Sequence, residues 1–285
     1  MASQKIIFLN KLGELEFSNK SPIIINELDG FSELKASIET SKAVKQDGET
    51  VDSVTFETRQ LVIKFTIMAD TIENLFRIRN KVIKIFNPKI KSQLIYDYAG
   101  IKRRIECRAE STPAIVLKSN TIACEGDITL LANENPFWED IYESGELIST
   151  WVGGWKFKFK LPFSFKKRGK SQKNVYNDGH IETPVEIIFK GPALNPSITN
   201  STTGEFIKVD RELTTDDILY IKTNFGEKKV EIERNGIREN AFHYIDLDST
   251  FFNLELGDNL IEYRTENDLE PQSVEIRYRN RYIGV

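Results

Sequence analysis

The chain has 285 residues, enough for one large domain or two of ordinary size. Its 39 Lys and Arg against 43 Asp and Glu leave a formal charge of −4, which argues against a dedicated nucleic-acid binder, because such domains are net basic. With 29% charged and 40% apolar residues it reads as a soluble globular chain, and two histidines exclude a His-rich metal centre.

From Met1 to Phe17 the apolar residues are interrupted by Lys5, Lys11, Glu14 and Glu16. No signal-peptide core and no membrane span is expected, so the chain is expected to be made in a cytoplasm without a leader. Ser41 to Asp52 is polar and contains Gly48, which suggests an exposed loop or a long hairpin arm. Arg59 to Met68 (RQLVIKFTIM) alternates as a strand.

One helix is predicted, from Asp70-Thr71 to about Phe86. Ile72, Leu75, Phe76, Arg79, Val82, Ile83 and Phe86 form its expected inner stripe, Asp70 or Thr71 its cap, and Asn87-Pro88 its stop. Arg77, Lys81 and Lys84 on the opposite side read as a solvated face, with a binding patch as the alternative.

Gln93 to Tyr98 and Arg103 to Ala109 follow as a hairpin through Tyr98-Ala99-Gly100. Ile115 to Lys118 and Thr121 to Leu131 form another around Ser119-Asn120. Strand, helix and a run of antiparallel strands make an α+β domain over residues 1–138, ending near Asn135-Pro136-Phe137-Trp138.

Residues 139–285 show no helical pattern of useful length. Strands are expected at Val185 to Phe189, Glu205 to Val209, Ile218 to Thr223, Lys229 to Arg234, Asn259 to Thr265 and Ser273 to Arg279. Turns at Thr203-Gly204, Phe225-Gly226, Asn235-Gly236 and Gly257-Asp258 separate several of them, implying an antiparallel β-sandwich. The first half carries 19 basic and 18 acidic residues, the second 20 and 25, so the negative excess belongs to the second.

Cys107 and Cys124 cannot form a disulfide framework. They read as small buried hydrophobes, or as a cross-strand bridge if their Cα atoms lie within about 7 Å. His180 and His243 are too far from them and from each other in sequence for a zinc pattern.

Trp151 to Arg168 (WVGGWKFKFKLPFSFKKR) alternates aromatic residues with lysines. It fits a sandwich strand with solvated lysines, a base-stacking surface, or a sugar platform on Trp151 and Trp155. Asp216-Asp217 and Asp246-Leu247-Asp248 lack EF-hand spacing and suit turns and caps. No phosphate loop, dinucleotide fingerprint, zinc-protease motif or nucleophile elbow is present. No catalytic, cofactor-binding or metal-binding residue is therefore expected, and no cofactor.

Residues 174–263 carry a more specific pattern. Its pieces are Asn177 to Gly179 before Thr183-Pro184, Gly191-Pro192 leading to Asn195-Pro196, and Thr202-Thr203-Gly204-Glu205. Asp217 to Ile221, Ser249 to Phe252 with Leu254, and Gly257 to Ile261 complete it. In this order the segments resemble the C-terminal domain of the siphovirus-type distal tail proteins of phages infecting Gram-positive bacteria. Asn87-Pro88-Lys89, Leu94 to Tyr96, Gly100, Arg103-Arg104-Ile105 and the Asn135 to Trp138 junction resemble the first half of that family. His180 departs from the pattern, standing where an acidic residue is expected.

The resemblance implies a mainly β protein: an α+β belt domain with one main helix, then a galectin-like antiparallel β-sandwich with Phe251, Phe252 and Leu254 in its core. It implies a structural, non-enzymatic virion protein at the tail tip or baseplate of an infectious phage or prophage. There the belt domains form a homo-hexameric ring joining the tail tube to a tail lysin or fibre hub and to receptor-binding proteins. Sequence-specific nucleic-acid contact and membrane insertion are not implied. A carbohydrate-binding sandwich contributing to host cell-wall attachment is the second reading.

Overall fold

The computed structural model describes residues 4–117, 122–148, 171–266 and 271–285. The aromatic–lysine segment from Trp151 to Arg168 and the Ser119-Asn120 turn lie outside these residues. Contacts divide the chain into two units, Met1–Ile141 with Tyr282–Val285, and Tyr142–Arg281.

The first unit contains β1 (Gln4–Asn10), β2 (Gly13–Ser18), β3 (Ile23–Asp29), β4 (Ala36–Ser41), β5 (Thr50–Phe56) and β6 (Arg59–Met68). It continues with α1 (Ile72–Ile85), β7 (Ser92–Tyr98), β8 (Ile101–Ala109), β9 (Ala114–Leu117), β10 (Ala123–Ala132) and β11 (Trp138–Asp140). Its large sheet runs β11-β8-β7-β1-β2-β3-β6-β10-β9, and a further β8–β10 pairing closes it on itself. All pairings are antiparallel except β2 with β3.

Alternation fills the barrel: Leu61, Ile63, Phe65 and Ile67 of β6 point inward, and the residues between them are more exposed. Phe8 and Phe17 meet Phe86 with ring centroids 4.4 and 6.0 Å apart, so the end of α1 plugs an aromatic core. Thr71 caps the helix by accepting from the Asn74 amide. The buried stripe differs from the expected one. It runs Leu75, Ile78, Val82, Ile85, with Ile78 half-buried, whereas Ile72 and Phe76 are 62% and 45% exposed. At 100° per residue these two lie on the flank of the helix, turned away from the barrel. Arg79 and Ile83 are half-covered.

The second unit contains β12 (Ser144–Ile148), β13 (Gln172–Asn177), β14 (Thr183–Lys190), β15 (Ala193–Leu194), β16 (Ser197–Asn200) and β17 (Glu205–Lys208). Then come β18 (Glu212–Leu213), β19 (Asp217–Lys222), β20 (Lys229–Arg234), β21 (Ile237–Asn240), β22 (Asn253–Leu254), β23 (Gly257–Arg264) and β24 (Ser273–Tyr278); β25 (Arg281–Tyr282), whose Tyr282 belongs to the first unit, stands beside β11 as the tenth strand of the large sheet. One sheet runs β12-β24-β14-β19-β20-β21 and the other β13-β23-β16-β17. Both are antiparallel, and Val175, Phe189, Ile207, Ile221, Phe252, Leu254 and Ile261 are among the buried residues of their common core. Phe251, expected in that core, is only partly covered and stacks on Phe242 at 5.7 Å. A single 3-10 turn, Phe242–Tyr244, is the one helical element among the unit's described residues. The chain is mainly β, and no helix among the described residues is long and apolar enough to cross a membrane.

Candidate functional site

A cleft in the second unit has a volume of about 280 Å³. The β20–β21 hairpin builds one wall. Its Asn235-Gly236 turn has φ of 53° and 77°, the left-handed pair a two-residue hairpin requires. Arg211 and the 3-10 turn supply the other wall. Arg211 donates to the Tyr244 hydroxyl, its guanidinium 4.5 Å from that ring's centroid, and His243 lies 3.9 Å from the same ring.

Arg234 also lines the cleft but turns to Asp217, with contacts of 2.6 and 2.8 Å. Asp217 is 1% exposed and also accepts from the Thr214 amide and hydroxyl. The guanidinium and these donors hold its carboxyl well below the usual carboxylate range. Asp217 therefore fastens the base of β19 and has no free oxygen for catalysis. The cleft offers guanidinium, amide and imidazole groups to a polar ligand, with Glu239 as its one lining carboxylate.

The remaining candidates from the sequence serve as structural members. Asp246 accepts from the Asp248 amide within a turn. Cys107 and Cys124 are free and buried, and burial pushes the Cys107 thiol up to about 12. Pairing of Leu131 with Arg108 sets Ala132 in register with Cys107, and Cys124 lies eight positions from Ala132 along β10, roughly 26 Å at about 3.3 Å per residue, so no bridge joins them. His180 donates its backbone amide to the Arg281 carbonyl. Among the described residues no group of three or more His, Cys, Asp and Glu could hold a metal.

The motif residues of the second half act as loop staples. Asn177, 2% exposed, donates to the Ile181 and Leu254 carbonyls and accepts from Gly179. Thr183 donates to the Arg279 carbonyl.

In the first unit the structure adds Arg59, which no motif singles out and which is 1% exposed. Its guanidinium donates to the carbonyls of Pro136 (2.7 Å), Gly30 (2.7 Å), Phe31 (3.2 Å), Glu33 (3.0 Å) and Ile283. Burial without a carboxylate lowers its pKa to about 10. Arg59 thereby joins the root of the β4–β5 hairpin, the Pro136 segment and the C-terminal residues. The hairpin itself spans the polar segment Ser41 to Asp52 and pairs with no other strand. Glu39, Glu49 and Asp52 accept from Ser53, Thr40 and Ser41 across it.

Comparison with known proteins agrees with this division. Residues 10–132 match the phage tail protein RIFT-related domain, and residues 178–282 the siphovirus-type tail component, C-terminal domain. The fold is similar to the crystal structure of the Dit protein of phage SPP1, described as a paradigm of hub adsorption apparatus in Gram-positive-infecting phages. The TM-score is 0.69 at 13% identity, covering 97% of this chain and 98% of that one. A chain of the phage P2 baseplate in its activated conformation with Ca matches at TM-score 0.57 and 11% identity, with both chains fully covered. No curated protein matches the sequence closely enough to count as a relative.

Proposed function

The chain belongs to the siphovirus-type distal tail proteins, structural components of a phage tail, and on that premise we propose that it closes a homo-hexameric ring at the tail tip. The ring joins the tail tube on one face to the tail lysin or fibre hub and receptor-binding proteins on the other. The observation that carries this reading is the succession of the two tail-protein domains along one chain, in a fold similar over its whole length to a hub protein.

A closed ring needs a heterologous, head-to-tail interface. We place it on residues 1–138, using strand edges and the hairpin arm, with the sandwich of residues 139–285 projecting outward. No catalysis is assigned. We further propose synthesis in the bacterial host cytoplasm, followed by incorporation into the virion.

Native mass spectrometry and negative-stain microscopy test the ring. A mass of six chains and six-fold rings are expected; a strict monomer in every condition overturns the assignment. Lysis of peptidoglycan in a zymogram would overturn the absence of catalysis.

A second reading is favoured by the cleft around Arg211, Tyr244 and His243, whose planar polar groups suit a saccharide. On this reading the sandwich also contributes to host cell-wall attachment. A glycan array should show binding that Arg211→Ala abolishes, and silence across the array refutes it.

A further inference from the structure

Residues 282–285, which follow the sandwich in sequence, come back to the first unit and reach the root of its hairpin arm. Tyr282 anchors them. It is 7% exposed, its ring lies 3.8 Å from the Arg103 guanidinium, and its hydroxyl donates to the Asp140 carboxylate at 3.3 Å. Beyond this anchor, Ile283 gives its carbonyl to Arg59. Val285 donates its amide to the Phe31 carbonyl at 3.3 Å and accepts from the Ser32 hydroxyl at 3.0 Å. Gly284 lies so close to the chain at Ser32 that a Cβ on it would stand 2.4 Å from the Ser32 carbonyl oxygen.

The arm has little else to fix its direction. Among the described strands β4 and β5 pair only with each other. Every residue of β4 is exposed, and on β5 only Ser53 and Phe56 are partly covered. A lone two-stranded hairpin is marginally stable in water, so its direction is set where it joins the barrel. At that joint Arg59 holds the Gly30, Phe31 and Glu33 carbonyls, and Phe56 packs edge-on against Phe137 at 5.4 Å. Residues 283–285 close on the same joint. A strand that merely extended the sheet would be held by its pairing with β11, whereas the hydrogen bonds to Phe31 and Ser32 lie outside that pairing and act on the arm.

We propose that residues 282–285 are a strap that sets the arm, and that the strap withholds ring competence from an unfinished chain. This rests on the ring reading, in which the arm belongs to the interface. The strap follows the sandwich in sequence, so it is the last part of the first unit to be made. At roughly 5–20 residues per second, residues 142–281 take roughly 7–28 s to synthesise. Small domains fold within microseconds to seconds, so the barrel forms during that interval with Arg59 one acceptor short and the arm unset. Nascent copies on neighbouring ribosomes then meet without a finished interface, and the arm sets only after the sandwich has been made.

Two variants test the strap against the parent by hydrogen exchange and native mass spectrometry. Gly284→Val in the full chain forces the strap off Ser32, and deletion of residues 283–285 removes it while leaving Tyr282 in the core. Exchange in peptides covering residues 30–35 and 56–59 should rise at least about tenfold, while β1, β7 and β14 keep their protection. The apparent dissociation constant of the ring should rise at least about tenfold in both variants. Assembly as tight as the parent's in both variants overturns the strap and leaves the ring reading standing. Exchange that rises equally across β1 and β7 also overturns it, because residues 283–285 would then be ordinary core. A parent that is monomeric at every concentration overturns the ring reading, and exchange at residues 30–35 then decides by itself whether the strap holds the arm.

Discussion

Replacing Arg59 by Met tests whether one buried cation holds the first unit together. The guanidinium serves five carbonyls, of which the Phe31 oxygen also receives the Trp138 indole at 3.0 Å. The substitution therefore strands four, those of Gly30, Glu33, Pro136 and Ile283. At about 1–3 kcal/mol per unsatisfied buried group the gross loss is roughly 4–12 kcal/mol. Removing the desolvated cation, whose penalty is evident in its lowered pKa, returns several kcal/mol, and some carbonyls will turn to water. A net loss of about 3 kcal/mol is expected, a large part of the stability of an ordinary domain. Urea unfolding reads it through Trp138, which is fully buried, in a background where Trp151 and Trp155 are replaced by Phe. Arg59→Lys should lose nearly as much, because a compact ammonium with three donors cannot reach carbonyls spread around a planar fork. A midpoint shift for Arg59→Met equivalent to less than about 0.5 kcal/mol would refute the reasoning.

Three further outcomes are expected. Leu75→Ala should cost about 2–4 kcal/mol by chemical denaturation, whereas Phe76→Ala should change stability of the isolated chain by under about 0.5 kcal/mol, since only the first is buried. Gly30→Ala should destabilise by more than about 2 kcal/mol in the same assay, because φ is +78° and a Cβ would sit 1.9 Å from the Gln60 carbonyl oxygen. For pH, the folded-state pKa of Asp217 lies below its unfolded value. Its contribution is thus present above the ordinary aspartate pKa of about 3.9 and is lost as pH falls through the folded value. Calorimetry below about pH 4 should show a steeper loss of the sandwich's melting temperature in the parent than in Asp217→Asn, and equal slopes would contradict the clamp.

Much of the architecture is legible where one local signal suffices. Arg59 to Met68 alternates cleanly because one face meets the core, and the helix announces itself by Thr71 and by Asn87-Pro88. Tyr98-Ala99-Gly100 and Asn235-Gly236 mark hairpins whose central residues do have positive φ. Gln4–Asn10 does not stand out as a strand because Ile7 and Leu9 on its other face are also half-covered, so the apolar run shows no period of two. The expected helix stripe is too wide because Ile72 and Phe76 are apolar without being inside. Arg59 does carry a signal, though a faint one: it occupies the inward register of its own strand, in phase with Leu61 and Ile63. The cleft leaves none, since Arg211, Arg234 and Tyr244 come from separate segments and meet only through tertiary folding.

The return of Tyr282–Val285 to the first unit has a practical consequence for taking the molecule apart. The sandwich is an insertion, with both of its chain ends in the unit that precedes it. A fragment cut after residue 141 would forfeit the Ile283 carbonyl under Arg59 and the Ser32 to Val285 hydrogen bond of 3.0 Å. The clean excision is a splice: residues 142–281 replaced by a short glycine-rich link, keeping the last four residues in place.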